Sequence, residues 1–126
     1  MERKIKIIAG TIAAEAELLN TVTAELLWNT LPLESTGSRW GDEIYFTIPL
    51  SHGLEQDARE TVEEGDLGFW PQGTAFCIFF GPTPISTGNE IKPASAVNIF
   101  GKIIGDATVF KQVASGTPVR VEKAGT

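Results

Sequence analysis

The sequence contains few of the residues on which common catalytic and metal sites depend. Its 126 residues include one histidine, His52, and one cysteine, Cys77. A single cysteine cannot form an intramolecular disulfide, which favours a reducing compartment, and one histidine with one cysteine supplies too few ligands for a zinc site. Walker, Rossmann and catalytic-serine motifs are missing from the sequence as well. We therefore predict neither a metal nor a cofactor.

Positive charge and long apolar runs are also in short supply. Ten lysines and arginines stand against sixteen aspartates and glutamates, which gives a formal net charge of −6. An acidic surface argues against nucleic acid and anionic membranes as partners. No apolar run approaches the roughly 20 residues of a transmembrane helix. These absences predict a soluble cytoplasmic protein, folded as a single domain over residues 1–126.

The stretch that organises the sequence is apolar and rich in glycine and proline, and it covers residues 65–84. Two apolar segments, residues 67–70 and 75–80, flank a turn at residues 71–73, where proline fixes φ and glycine permits positive φ. Residues 75–80 are apolar at every position. This pattern is typical of a strand that is buried on both faces.

Residues 42–49 show the clearest alternation of apolar and polar side chains. Strand geometry places Ile44, Phe46 and Ile48 on one face and Glu43, Tyr45 and Thr47 on the other. Further strands are predicted over residues 4–9, 11–18, 59–62, 96–104 and 119–121, although residues 11–18 could also be helical. Residues 33–38 are a short strand or a loop, and helices are predicted over residues 22–31 and 106–113. Residues 51–64 are polar and predict a solvated loop that ends in the short strand at 59–62. About eight short strands with two short helices predict a mainly β protein, a closed barrel or a sandwich whose ends the helices plug.

Two motifs carry a resemblance to a known fold family. Residues 98–105, NIFGKIIG, and the helix predicted after them resemble the VFGKV-x-x-G strand and following helix of cyclophilins. The runs at residues 41–46, 69–71 and 79–84 are similar to those of a small family of prokaryotic proteins with a cyclophilin-like fold and no assigned activity. The resemblance extends over almost the whole chain, and it implies a closed cyclophilin-like β-barrel.

The chain departs from the pattern of the cyclophilin prolyl isomerases at their active site. It lacks both the Phe-His-Arg strand and the Phe-Met-x-Gln-Gly-Gly run of those enzymes. Arg39 lies near the position of the catalytic arginine, but Trp40 and Gly41 follow it. Arg39 could donate a hydrogen bond to a twisted prolyl amide, or it could form a surface ion pair with Asp42 or Glu43. A weak or divergent peptidyl-prolyl isomerase with Arg39 as its catalytic residue is therefore the alternative function.

Cyclophilins bind their ligands in a groove on the outside of the barrel, which defines the candidate site. By resemblance, the candidate ligand-binding residues are Arg39, Trp40, Glu43, Tyr45, Phe79 and Phe80. A loop over residues 85–93 could instead cover this face. Phe69 and Trp70 could form a stacking platform or a core anchor, and His52 is expected to be an exposed loop residue.

The leading functional hypothesis is a protein that binds a small molecule or an extended peptide in this outer groove, without enzymatic turnover. The isomerase is the second hypothesis. A third is a structural subunit whose aromatic face forms a homo-oligomer interface. The sequence does not identify the ligand.

Overall fold

The computed structural model describes residues 3–124, in which nine strands form one antiparallel sheet. The strands are β1 (Lys4–Ala9), β2 (Ile12–Leu18), β3 (Leu33–Thr36), β4 (Ser38–Arg39), β5 (Glu43–Thr47), β6 (Asp66–Trp70), β7 (Ala75–Phe79), β8 (Asn98–Ile103) and β9 (Pro118–Lys123). One α-helix, α1 (Val22–Trp28), and two 3₁₀ helices, Pro71–Gly73 and Ala107–Gln112, complete the regular structure of these residues.

The sheet curls into a nearly closed barrel. Its strand order is β3-β9-β1-β2-β8-β6-β7-β5-β4, so its two end strands are neighbours in the sequence. The ends meet at Gly37, where an added Cβ would lie 3.2 Å from a methyl group of Val119 and 3.3 Å from one of Ile44. The Ser35 hydroxyl donates to the Thr47 carbonyl at 2.8 Å and thereby ties β3 to β5. The predicted cyclophilin-like β-barrel is confirmed, with nine strands in place of about eight.

The barrel core is aliphatic and aromatic, and it follows the predicted alternation on β5. Ile44, Phe46 and Ile48 are buried, whereas Thr47 is exposed. The ring of Phe46 stacks on Phe76 with centroids 4.7 Å apart, and Phe100 meets Phe76 edge-on at 5.0 Å. Such aromatic pairs add to the stabilisation that burial provides. The inner face of β5 and β7 is therefore fully used by packing.

The predicted first helix is too long. The Thr21 hydroxyl caps α1 by accepting from the Ala24 amide at 3.0 Å, but the helix ends at Trp28 rather than at residue 31. The chain leaves it through a tight turn in which the Thr30 amide donates to the Leu27 carbonyl at 2.9 Å. Val22, the first residue of α1, is 59% exposed. No helix in the described range 3–124 has the length and hydrophobicity needed to cross a bilayer.

The predicted strand at residues 59–62 is wrong. The structure has two isolated bridges there instead, Arg59 with Val97 and Val62 with Ile91. Each residue pair is hydrogen-bonded, but the register does not continue into a ladder. The polar composition of residues 51–64 is consistent with this irregular path.

Glu55 anchors the loop at residues 51–58 to the barrel. Its carboxylate accepts hydrogen bonds from the amide and hydroxyl of Thr23, and it lies 3.2 Å from Nε2 of His52. The Glu55 amide donates to the side-chain oxygen of Asn98 at 2.8 Å, and the Asn98 amide group donates to the Gly53 carbonyl at 2.9 Å. His52 is therefore half-buried in this network rather than freely exposed.

Glu55→Gln is expected to destabilise the protein at pH 7 and to have a smaller effect at pH 3. Burial opposes ionisation, but the hydrogen bonds from Thr23 and His52 outweigh it and lower the pKa of Glu55. A carboxyl group whose pKa is lower in the folded state than in the unfolded state stabilises the folded protein at pH values above the unfolded-state pKa. This stabilisation is lost as the pH falls through the folded-state pKa. Loss of charged hydrogen bonds typically costs about 1–3 kcal/mol. Urea unfolding at both pH values checks this, with exposed Glu60→Gln as the control; equal destabilisation at the two pH values would contradict it.

Candidate functional site

A second apolar cluster lies on the outer face of the sheet, opposite the barrel core. Alternation along the strands turns Ala75, Cys77 and Phe79 of β7 to this face, together with Tyr45 of β5 and Trp70 of β6. Tyr45 and Cys77 are direct cross-strand partners. In antiparallel sheets one face is commonly solvated, so an apolar outer face needs a cover.

The cover is the segment of residues 91–97, which we call the covering segment. Gly68 of β6 makes room for it, because a Cβ at Gly68 would lie 2.8 Å from a methyl group of Val97. Val97 exchanges two backbone hydrogen bonds with Arg59, at 2.8 and 2.9 Å. In the middle of the segment, the Ser95 hydroxyl accepts a hydrogen bond from the Trp70 indole nitrogen at 2.6 Å. The cover is thus fixed at both its Val97 end and its middle.

The β4–β5 turn forms the remaining side of the site. The Trp40 amide donates to the Glu43 carbonyl at 2.9 Å, and Gly41 adopts φ +62°, which favours glycine. The Asp42 amide donates to the Pro82 carbonyl at 2.8 Å, and an added Cβ at Gly41 would lie 2.8 Å from Cδ of Pro84. This packing holds the turn against residues 82–84 and places Trp40 at the rim.

Between the sheet, the turn and the covering segment lies a cavity of about 300 Å³, which we call the outer pocket. It combines three aromatic side chains and one carboxyl group with otherwise apolar walls. It is lined by Trp40, Glu43, Tyr45, Trp70, Cys77, Pro93, Ala94 and Val97.

Glu43 is the polar group of the outer pocket, and it is only 5% exposed. Across residues 3–124, its Oε1 finds no hydrogen-bond partner. Burial raises the pKa of Glu43 to about 7, although the Cys77 thiol favours the charged form. Burial and the neighbouring carboxylate together raise the pKa of the Cys77 thiol well above its ordinary value. The pocket therefore holds a carboxyl group that ionises less readily than an exposed one, beside a thiol that stays protonated.

The structure brings four of the six predicted site residues together. Trp40, Glu43 and Tyr45 line the outer pocket, and Phe79 packs in the cluster beneath it. Phe80 does not contribute. It is 0% exposed, belongs to the barrel core and lies with its ring centroid 6.2 Å from that of Phe110. Consecutive residues of an extended chain point to opposite faces, so Phe79 and Phe80 cannot both face outward.

Arg39 also lies outside the outer pocket, and its guanidinium group is already hydrogen-bonded to other residues of the protein. It donates to the carbonyls of Gly41 at 2.9 Å, Val113 at 2.8 Å and Lys111 at 3.2 Å. It also forms an ion pair with Asp42 at 3.3 Å and lies 5.1 Å above the ring of Phe80. These contacts use four of the five donors of an arginine. The geometry thus matches the ion-pair interpretation of Arg39.

Sequence reasoning missed five pocket residues, which are Trp70, Cys77, Pro93, Ala94 and Val97. The sequence suggests Trp70 as a stacking platform only in combination with Phe69, but Phe69 is buried in the barrel core. The pairing of Tyr45 with Cys77 would have indicated the cysteine once the β5–β7 register was known. The covering segment was expected in part, since a loop ending at Pro93 was one of the alternatives for this face.

A nearly closed antiparallel barrel whose ligand-sized pocket lies on its outer wall is the arrangement typical of cyclophilin-type barrels. The family comparison agrees with this class. The sequence profile described as Cyclophilin-like matches residues 3–122, and the chain belongs to this family.

The fold is similar to the solution structure of a hypothetical protein from Archaeoglobus fulgidus. The two chains are 41% identical and superpose with a TM-score of 0.83, and the match covers 98% of this chain and 95% of the archaeal one. No curated protein matches the chain. The comparisons establish the family and the fold.

Proposed function

We propose that the protein binds a small organic molecule in the outer pocket and does not transform it. The observation that supports this proposal is the Glu43 carboxyl group, which is buried in an aromatic-walled cavity and has one oxygen without a donor among the described residues. More than about 90% of buried polar groups in native proteins have a partner. A ligand that donates a hydrogen bond to Glu43 would supply the missing one.

Desolvation makes the unpartnered Glu43 oxygen costly to bury. Burying a polar group without a hydrogen bond costs about 1–3 kcal/mol in proteins, and burying an unpaired charge costs more. The raised pKa of Glu43, about 7, reflects this cost. Natural sequences retain such groups mainly at functional sites, where the cost is recovered on binding.

The size of the outer pocket favours a small molecule over an extended peptide. A volume of about 300 Å³ lies at the lower end of the range of ligand pockets, about 300–1,000 Å³. An extended peptide advances about 3.3 Å per residue, so most of its length would lie outside a cavity of this size. The walls combine apolar surface with one polar group, which is the usual composition of a small-molecule site.

Ala94→Trp is expected to weaken small-molecule binding by at least roughly tenfold, because the added ring fills the outer pocket without altering Glu43. Ala94 is exposed on the covering segment and lines the cavity. A fragment library screened by NMR, with the Trp40 and Trp70 indole signals as reporters, measures the affinities. Ala13→Trp, at an exposed position on β2, is the matched control.

Two outcomes would contradict the proposal. Fragments that bind Ala94→Trp as tightly as the unaltered protein would place the binding site elsewhere. A screen without any saturable shift would remove small molecules from consideration. Titration with Xaa-Pro peptides in the same experiment tests the alternative function, since catalysed cis–trans exchange would indicate a prolyl isomerase.

A further inference from the structure

Three aromatic side chains meet one carboxyl group in the outer pocket. Trp40, Tyr45 and Trp70 line the cavity with Glu43, and none of the described residues in its wall is positively charged. Aromatic faces carry negative charge density and attract cations within about 6 Å of the ring centroid. An anionic ligand would be repelled by both the rings and the carboxylate.

The Trp70 side chain is held in place before any ligand binds. The Trp70 indole nitrogen donates to the Ser95 hydroxyl at 2.6 Å, and its six-membered ring lies directly on Gly73, where an added Cβ would be 2.5 Å from Cε3. The backbone of Trp40 is held in the β4–β5 turn by the hydrogen bond from its amide to the Glu43 carbonyl. Preformed walls lower the entropic cost of binding.

From this arrangement we infer that the small molecule is an alkylated organic ammonium, which Trp40, Tyr45 and Trp70 surround while Glu43 neutralises its charge. The inference rests on the proposed function and names its ligand class. A bound cation beside Glu43 favours the carboxylate form and offsets the cost of burying it. The net charge of −6 attracts cations to the protein over longer distances.

The small number of side-chain hydrogen-bond acceptors in the outer pocket favours an ammonium group with several alkyl substituents. A primary ammonium carries three N–H donors. In the described wall of the pocket, the side chains that can accept a hydrogen bond strongly are Glu43 and the Tyr45 hydroxyl, because the Trp70 nitrogen is a donor already bonded to Ser95. A tertiary ammonium keeps one N–H donor for Glu43, and a quaternary ammonium that carries a hydroxyl group donates through that hydroxyl instead. In both, the alkyl groups pack against the aromatic and apolar walls. The pocket therefore suits the alkylated form better.

The test compares two molecules of nearly the same shape that differ in charge. These probes are the (2-hydroxyethyl)trimethylammonium cation and its neutral carbon analogue, 3,3-dimethylbutan-1-ol, each titrated against the full chain by NMR. We expect the cation to bind at least about tenfold more tightly than the neutral analogue. Glu43→Gln should remove most of this preference, and Trp40→Leu should weaken cation binding several-fold. Glu64→Gln, which removes an exposed acid, should leave both affinities unchanged.

The outcomes separate this inference from the proposed function. Equal affinities of the two probes, or a preference that survives in Glu43→Gln, would overturn the ammonium assignment. Failure of both probes would overturn it too. In either case the proposed function is retained if other fragments still bind and Ala94→Trp weakens their binding. It is rejected together with the ammonium assignment if no fragment binds in this way.

Discussion

Glu43→Gln is expected to stabilise the protein by roughly 3 kcal/mol at pH 8 and to change its stability little at pH 4. The reason is the cost of ionising a buried carboxyl group. The pKa of Glu43 is raised from 4.5 to about 7 in the folded protein. Between these two values the folded state binds more protons than the unfolded state, so stability falls as pH rises. Glutamine keeps the shape of the side chain without the charge.

Urea unfolding at pH 4, 6 and 8 checks this expectation. The stability difference between Glu43→Gln and the unaltered protein should grow across that range. Exposed Glu64→Gln serves as the control, because removing a solvated charge changes stability only slightly at any pH. A difference that stays constant with pH would show that Glu43 ionises normally in the folded protein, which would also weaken the argument for the outer pocket as a binding site.

Ile44→Asp is expected to unfold the protein, while Thr47→Asp on the same strand is tolerated. Ile44 is 1% exposed in the barrel core and packs where β3 and β4 meet. An aspartate there loses about 2–5 kcal/mol of apolar packing and adds an unpaired buried charge. Typical domains have only about 5–15 kcal/mol of total stability. Thr47 is exposed on the other face, so its replacement should cost less than about 1 kcal/mol.

Two-dimensional NMR spectra distinguish the two variants directly. Ile44→Asp should give the narrow dispersion of an unfolded chain and Thr47→Asp the dispersion of the native barrel. Val119 on β9 is also buried, so Val119→Asp should behave like Ile44→Asp. Similar spectra for all three variants would show that the assignment of strand faces is incorrect.

The barrel could be predicted from the sequence because its strands carry clear local patterns. The alternation at Ile44, Phe46 and Ile48 gives the inner face of β5, and the VFGKV-like motif gives β8 and the helix after it. The faces of β7 could not be predicted in the same way. Its run is apolar throughout, so no polar residue distinguishes the side of Phe79 from the side of Phe80.

The outer pocket was only partly predictable, because its key property depends on contacts that are distant in sequence. Alternation placed Glu43 and Tyr45 on the outer face correctly. It could not show that Val97 lies against Gly68 or that Glu43 is only 5% exposed in the wall of the pocket. The role of Glu55 could not be predicted either. Glu55 lies in a polar loop, and its hydrogen bonds are to Thr23 and Asn98, which are distant in the sequence.

Strand β7 belongs to both apolar clusters, and this has a thermodynamic consequence. It pairs with β5 and β6, and it is buried on both faces. Cys77 in the wall of the pocket and Ile78 in the barrel core are adjacent residues of this one strand. A ligand that binds only the folded protein stabilises it by RT ln(1 + [L]/Kd). Occupancy of the outer pocket should therefore raise the melting temperature of the entire barrel, which makes thermal unfolding a direct assay for the unknown ligand.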